Sequence, residues 1–137
     1  MAAGTEAYVD TSALIAFADR SDSHHLLFRR LFADPLPAIT TVLVVTEGHA
    51  WFLRRYDRAR ALQFLAMLEE MSFLQVLAVG PAELRAAADL LRRYSDQRLT
   101  LMDAVGLHVM KAHGVGTCWS TDHHLGLTGV QLAMHHQ

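Results

Sequence analysis

The chain has 137 residues, 52% of them hydrophobic and 19% charged, with a formal net charge of −2. That length fits one domain over residues 1–137, with a core that needs no staples, and the apolar content excludes a disordered chain. The slightly negative charge excludes a basic clamp that holds nucleic acid by bulk electrostatics.

A lone cysteine, Cys118, rules out an internal disulfide and fits a cytoplasmic protein. No run of about 18 apolar residues is present, so no membrane span is expected. Met1 to Ala7 lacks a basic stretch followed by an apolar one, so no secretory signal is expected either. Of the 12 basic residues all but Lys111 are arginine. Arginine grips phosphate in a bidentate fork, although most exposed arginines only solubilise.

Short apolar runs alternate with longer helical stretches. Ala7-Tyr8-Val9 reads as a strand ending at Asp10, and residues 12–18 as a short helix. Asp22 or Ser23 can cap a second helix with Leu27, Phe28, Leu31 and Phe32 on its apolar face. After Pro35 and Pro37, residues 38–40 read as a strand. Thr41 can cap a helix running to about Tyr56, and Asp57 the next, with Leu62, Leu65 and Leu68 on one face. Phe73 to Val79 reads as a third strand. Gly80-Pro81 opens a helix with Leu84, Ala87, Ala88 and Leu91 at helical spacing. A loop from Ser95 to Leu99 leads to a Thr100 cap, and Gly114 ends that helix. Thr117 to Thr121 and Val130 to Met134 complete the strands. The alternation predicts an α/β fold with a mostly parallel sheet, helices on both faces and strands buried on both sides.

Open α/β sheets bind ligands beyond the carboxyl ends of their strands. Asp10 and Asp122 follow the first and fourth strands directly. Glu47 lies on the second turn of the helix after strand two, in an otherwise apolar stretch, where a buried acid would need a partner or a metal. Asp103 lies in the first turn of the helix before strand four, and pattern alone leaves its side of the sheet open. Asp10 and Asp103 can also be read as helix caps, Asp103 within a near capping box with Thr100. Asp122 can be read as a turn residue. Taken together, the crowded carboxylates call for a counterion and raised pKa values. Hard oxygen ligands select Mg²⁺ or Mn²⁺, which serve phosphodiester hydrolysis. The constellation predicts a metal-dependent nuclease or phosphatase.

Adjacent His123 and His124 point apart on an extended segment, and no zinc-protease spacing occurs. Arg98, beside the acidic crevice, is a candidate phosphate contact. Trp51, Phe52 and Trp119 read as core rather than as base-stacking platforms. Residues 24–32, with the apolar helix at 42–53, offer a surface where a partner peptide is expected to dock.

Four segments carry a resemblance: Tyr8-Val9-Asp10-Thr11-Ser12, Thr46-Glu47-Gly48, residues 96–104 from Asp96 through Asp103 to Ala104, and Ser120-Thr121-Asp122. In this order and spacing the chain resembles the PIN-domain family, in particular the VapC-type toxin ribonucleases, from about residue 7 to its end. The resemblance implies a three-layer α/β/α fold with a five-stranded parallel sheet in the order 3-2-1-4-5. It implies Mg²⁺- or Mn²⁺-dependent cleavage of RNA, and it places Asp103 at the same sheet edge as Asp10. Asp10, Glu47, Asp103 and Asp122 match the catalytic, metal-holding acids. Ser12, Thr100 and Asp96 match supporting positions. After Asp122 the chain departs from the family with His123-His124-Leu125. The implied partners are an RNA substrate, a small antitoxin protein and a second copy in a homodimer, with no membrane. A housekeeping RNA-processing nuclease and a non-catalytic RNA- or protein-binding module are the alternatives. A phosphoryl-receiver domain would need an acid after strand three, where the chain reads Ala78-Val79-Gly80.

Overall fold

The computed structural model describes residues 7–121, 126, 131 and 132. The elements run β1 (Ala7–Val9), α1 (Thr11–Ala18), α2 (His25–Ala33), β2 (Ala38–Thr41), α3 (Val42–Arg55), α4 (Arg58–Glu69), β3 (Leu74–Leu77), α5 (Pro81–Arg93), α6 (Leu101–Ala112), β4 (Thr117–Trp119) and β5 (Gln131–Leu132). The five strands form one parallel sheet in the order β3-β2-β1-β4-β5, as the resemblance implied. Successive strand side chains point to opposite faces. Ala7, Tyr8 and Val9 are all fully buried, so both faces of the central strand are covered.

Several elements differ from the sequence reading. β3 is shorter than expected and partly exposed, with Val76 open to solvent, because it forms an edge of the sheet. β4 stops at Trp119; of the expected fifth strand Gln131–Leu132 is a strand, and Val130, Ala133 and Met134 lie outside the described residues. Thr41 stands at the N-cap of α3, but its side chain makes no capping bond. The buried residues of α4 are Ala61 and Phe64, while Leu62 is exposed. Asp57 does cap α4, accepting the Arg60 amide at 2.8 Å. Gly114 closes α6 at φ 63°, the left-handed conformation that a side chain disfavours.

The expected docking surface on α2 is largely absorbed by the fold. Phe28 and Phe32 are core residues, and Leu27 and Leu31 pack against that core. Phe32 stacks on Phe17 at 4.5 Å and meets the Trp119 ring edge-on at 5.0 Å. Only Leu26 of that apolar run stands well out, at 69% exposure.

α1 is tied to the end of α3 by a buried acid. Asp19 accepts hydrogen bonds from the Tyr56 hydroxyl at 3.0 and 2.9 Å, from the Ser21 hydroxyl at 2.8 Å and from the Ser21 amide at 3.0 Å. Burial works to raise its pKa, but the Ser21 and Tyr56 hydrogen bonds, with the charge of Arg60, outweigh it and hold the carboxyl below its ordinary range. An unfolded Asp titrates near about 3.9. The stability from this tie is therefore present above that value and lost as pH falls through the lower folded pKa. Tyr56→Phe is expected to cost about 1–2 kcal/mol at neutral pH. Thermal melts should show that loss shrinking in strong acid; an equal loss at both pH values would contradict the tie.

Candidate active site

The register of the sheet brings the first two site residues together. Val9 of β1 pairs with Trp119 of β4, and the Asp10 amide extends the ladder to the Trp119 carbonyl at 3.0 Å. The next residues, Asp10 and Ser120, are therefore neighbours at the carboxyl edge. Ser120 is fully buried and donates to Asp10 Oδ2 at 3.0 Å. Ser12 donates to the same oxygen through its hydroxyl at 2.9 Å and its amide at 3.4 Å. The Ser12 hydroxyl also accepts the Thr121 amide at 3.0 Å, which locks the two strand ends together.

Asp10 thus caps α1, as one reading of the sequence allowed, and it does so with one carboxylate oxygen. Oδ1 receives none of these bonds. The carboxyl is 7% exposed. Burial pushes its pKa above the ordinary range, opposed by hydrogen bonds from Ser12, Ser120 and the Thr11 amide. Among the described residues burial, rather than the crowding of like charges expected from the sequence, is the largest cause of the rise.

Asp103 also caps and also lines the site. It completes the capping box at the start of α6: its Oδ2 accepts the Thr100 amide, and its own amide donates to Thr100 Oγ1, each at 3.1 Å. It is 8% exposed. The placement that pattern left open is resolved, because Asp103 and Asp10 line one cavity of about 330 Å³. Thr11, Ser12 and Ile15 of α1 and Thr100 and Met102 beside Asp103 share it. Glu47 of α3 forms part of its wall, followed by Trp51 and Arg54.

Glu47 corrects one step of the sequence reading. It is exposed rather than buried among apolar neighbours, because Val44, Gly48 and Phe52 carry the buried side of α3. Arg98 is exposed and does not line the cavity. Asp96 is exposed in the loop before α6, where it accepts a 3.5 Å bond from Gln97. Asp122, His123 and His124 lie outside the described residues. Phe52 and Trp119 are core as expected, whereas Trp51 is half-buried at the cavity. Ser120 enters the sequence reading only as part of the Ser120-Thr121-Asp122 segment, without a role, and Arg54 is not singled out there. The spacing of Glu47, Trp51 and Arg54 at i, i+4 and i+7 was the available signal for Arg54.

Among the described residues no three His, Cys, Asp or Glu side chains close around a single point as a ready-made metal cage. Mg²⁺ needs no such cage, since it keeps several waters and is held through one or two carboxylates. Two nearly buried carboxylates with a third at the cavity wall supply hard oxygen donors, and the space admits a hydrated cation. The residues fit Mg²⁺ or Mn²⁺ in chemistry and room.

A family model described as PIN domain matches residues 7–128 of this chain. No match was found among curated proteins. Among the solved structures similar in fold are the following three. The chain is similar to VapC20 from Mycobacterium tuberculosis, described as a sarcin-ricin loop cleaving toxin, with a TM-score of 0.83 and 24% identity over 90% of this chain and 95% of that one. It is similar to a chain of a toxin–antitoxin complex from Klebsiella pneumoniae, with a TM-score of 0.63 and 15% identity over 92% and 94% of the two chains. It is also similar to PAE2754 from Pyrobaculum aerophilum, with a TM-score of 0.66 and 21% identity over 97% and 92%. No helix among the described residues is long and apolar enough to cross a membrane.

Proposed function

This chain belongs to the PIN domain family, and from that premise we propose that it is a Mg²⁺- or Mn²⁺-dependent endoribonuclease acting as the toxin of a toxin–antitoxin pair. The observation that carries the reading is the pair of nearly buried carboxylates, Asp10 and Asp103, that face one cavity with Glu47 on its wall. Asp10, Asp103 and Glu47 would hold the cation, and Asp122 is proposed as a fourth ligand on the strength of the family motif. When bound, such an ion neutralises phosphate charge and lowers the pKa of its water.

The chain's own groups prepare the site. Ser12 and Ser120 fix Asp10 through Oδ2, so Oδ1 has a defined direction. The Thr100 amide likewise holds Asp103 through Oδ2, and the Thr100 hydroxyl accepts the Asp103 amide. Held carboxylates lose little freedom on loading, which is how supporting hydrogen bonds tune a metal site.

RNA cleavage should disappear in chelator and return on adding Mg²⁺ or Mn²⁺. Saturating Mn²⁺ at about a hundred times its Kd should also stabilise the fold by about 2.7 kcal/mol. Full cleavage in chelator would overturn this reading.

The antitoxin is proposed to dock away from the carboxylates. Phe17, Ala18, Arg20, His25 and Arg29 line a groove of about 550 Å³ on α1 and α2. Phe17 and Ala18 continue into a smaller pocket of about 180 Å³ with Arg60, Phe64 and Met67. Cationic edges beside an apolar floor suit an acidic amphipathic segment. A small protein encoded beside this chain should bind more weakly to Arg29→Glu, while cleavage of free RNA persists. Unchanged binding by that variant would move the partner elsewhere. A homodimer is proposed as well, and light scattering tests it.

A further inference from the structure

We propose that Trp51 and Arg54 form a nucleotide-holding wall beside the carboxylates, with the Arg54 guanidinium on a backbone phosphate and the Trp51 indole against an unstacked base of single-stranded RNA. This rests on the ribonuclease reading above and adds how the substrate is held.

Glu47, Trp51 and Arg54 recur at i, i+4 and i+7 on α3, and all three line the cavity. That spacing is one helix face. A single rigid helix therefore presents a carboxylate, an aromatic ring and a cation in succession along the site. The indole does not hang free. It meets the Phe52 ring edge-on at 4.9 Å and 82°, and the Tyr56 ring at 6.2 Å and 71°. Phe52 is buried in the core, so the platform is anchored.

Arg54 is the one basic residue that lines this cavity among the described residues. Other arginines nearby are engaged. Arg55 and Arg60 lie over the Tyr56 ring at 5.1 and 4.3 Å. Arg54 is exposed and, among the described residues, makes no ion pair, hydrogen bond or ring contact. A guanidinium that lines the cavity with three carboxylates, and among the described residues is bonded to none of them, offers its fork to an incoming anion. The chain as a whole is negative, so a polyanion entering this acidic cavity needs a local cation. The neighbouring indole then decides the form of the polyanion. Bases inside a duplex are stacked on each other, whereas a single strand can lay a base on an aromatic face.

The test is steady-state cleavage of a short single-stranded RNA, labelled with a fluorophore and quencher, in Mn²⁺ at several salt concentrations. Arg54→Gln should raise KM about ten-fold with a smaller change in kcat, and should reduce the salt slope of log(kcat/KM) by about 0.7. Arg54→Lys should restore the slope, since it keeps the charge. Trp51→Ala should raise KM at least about five-fold, and Trp51→Phe should recover most of that loss. Circular dichroism melts check that each variant folds; Arg54 is exposed and Trp51→Phe is conservative. If wild-type protein cleaves RNA while Arg54→Gln and Trp51→Phe, both folded, show wild-type KM and Trp51→Ala does too, the inference is overturned and the ribonuclease reading stands. If wild-type protein cleaves no RNA with any divalent cation, both are overturned together.

Discussion

Asp10→Asn and Asp103→Asn should each lower RNA cleavage by roughly a thousand-fold or more, the order expected when one electrostatic anchor is removed from a reaction centre. Neither should unfold the domain. Both residues are caps as well as cavity-lining acids, so the choice of replacement separates the two roles. Asparagine keeps a carbonyl oxygen that can accept the Ser12 or Thr100 amide, and it is as good a cap as aspartate. Alanine keeps neither role. Asp10→Ala should therefore lose activity and about 1 kcal/mol of stability, while Asp10→Asn should lose activity alone.

The pH dependence of stability sharpens this test. Burial raises the Asp10 pKa in the metal-free fold. An unfolded Asp titrates near about 3.9. Stability is then fully present below that value and declines as pH rises through the raised folded pKa. Asp10→Asn removes the decline. In chelator, above the folded pKa, the variant should melt at or above wild type, by up to about 1 kcal/mol. Melts across a pH series would show it, and a variant less stable than wild type at every pH would mean that the carboxylate is mainly structural. Adding Mn²⁺ should raise the wild-type melt more than that of either Asn variant.

The second large effect is expected at Gly48. It lies on the buried side of α3, and a Cβ there would collide with the far edge of the Phe64 ring on α4. Phe64 is buried and its ring rests against Phe52 at 5.2 Å, so moving it clear would disrupt that packing. Gly48→Ala should cost about 1–3 kcal/mol through overpacking, even though alanine is the better helix former. Phe64→Ala alone should cost about 3–5 kcal/mol by leaving a cavity. Combined, the two should cost clearly less than their sum, because each relieves the other's misfit. Denaturant unfolding of the four proteins measures the coupling. Additive losses would mean that the helices re-space around the new methyl group. Because α3 also carries Glu47, Trp51 and Arg54, Gly48→Ala should disturb activity as well as stability.

Periodicity and chain punctuation were enough to read the elements and their order. Asp57 before a helical run, Gly80-Pro81 after an apolar one, and Gly114 at a helix end act through local backbone physics, and each appears where that physics puts it. The acids Asp10 and Asp103 were also legible, since a carboxylate at a strand end or a helix start has few ordinary uses. Sequence alone could not say whether these acids cap helices or line a site, and in the structure each caps a helix and lines the one cavity, which is where the proposed cation would be held. Oδ2 of Asp10 serves the cap, and the same carboxylate lines the cavity.

Burial and adjacency were decided by the tertiary structure. The edge position of β3 and the solvent-facing side of α3 depend on what packs where, so Val76 and Glu47 are exposed despite apolar surroundings in sequence. Asp10 and Ser120 are 110 positions apart, and only the parallel register of β1 with β4 makes them partners. Gly48 is explained by a ring on another helix. Arg54 was one exposed arginine among several, and Arg98 the more tempting one beside Asp103 in sequence. In the fold Arg54 lines the cavity with the carboxylates, whereas Arg98 does not. Local chemistry specifies elements and caps because its interactions span a few residues, whereas a site joined from β1, α3 and α6 exists only once non-local packing has placed those elements together.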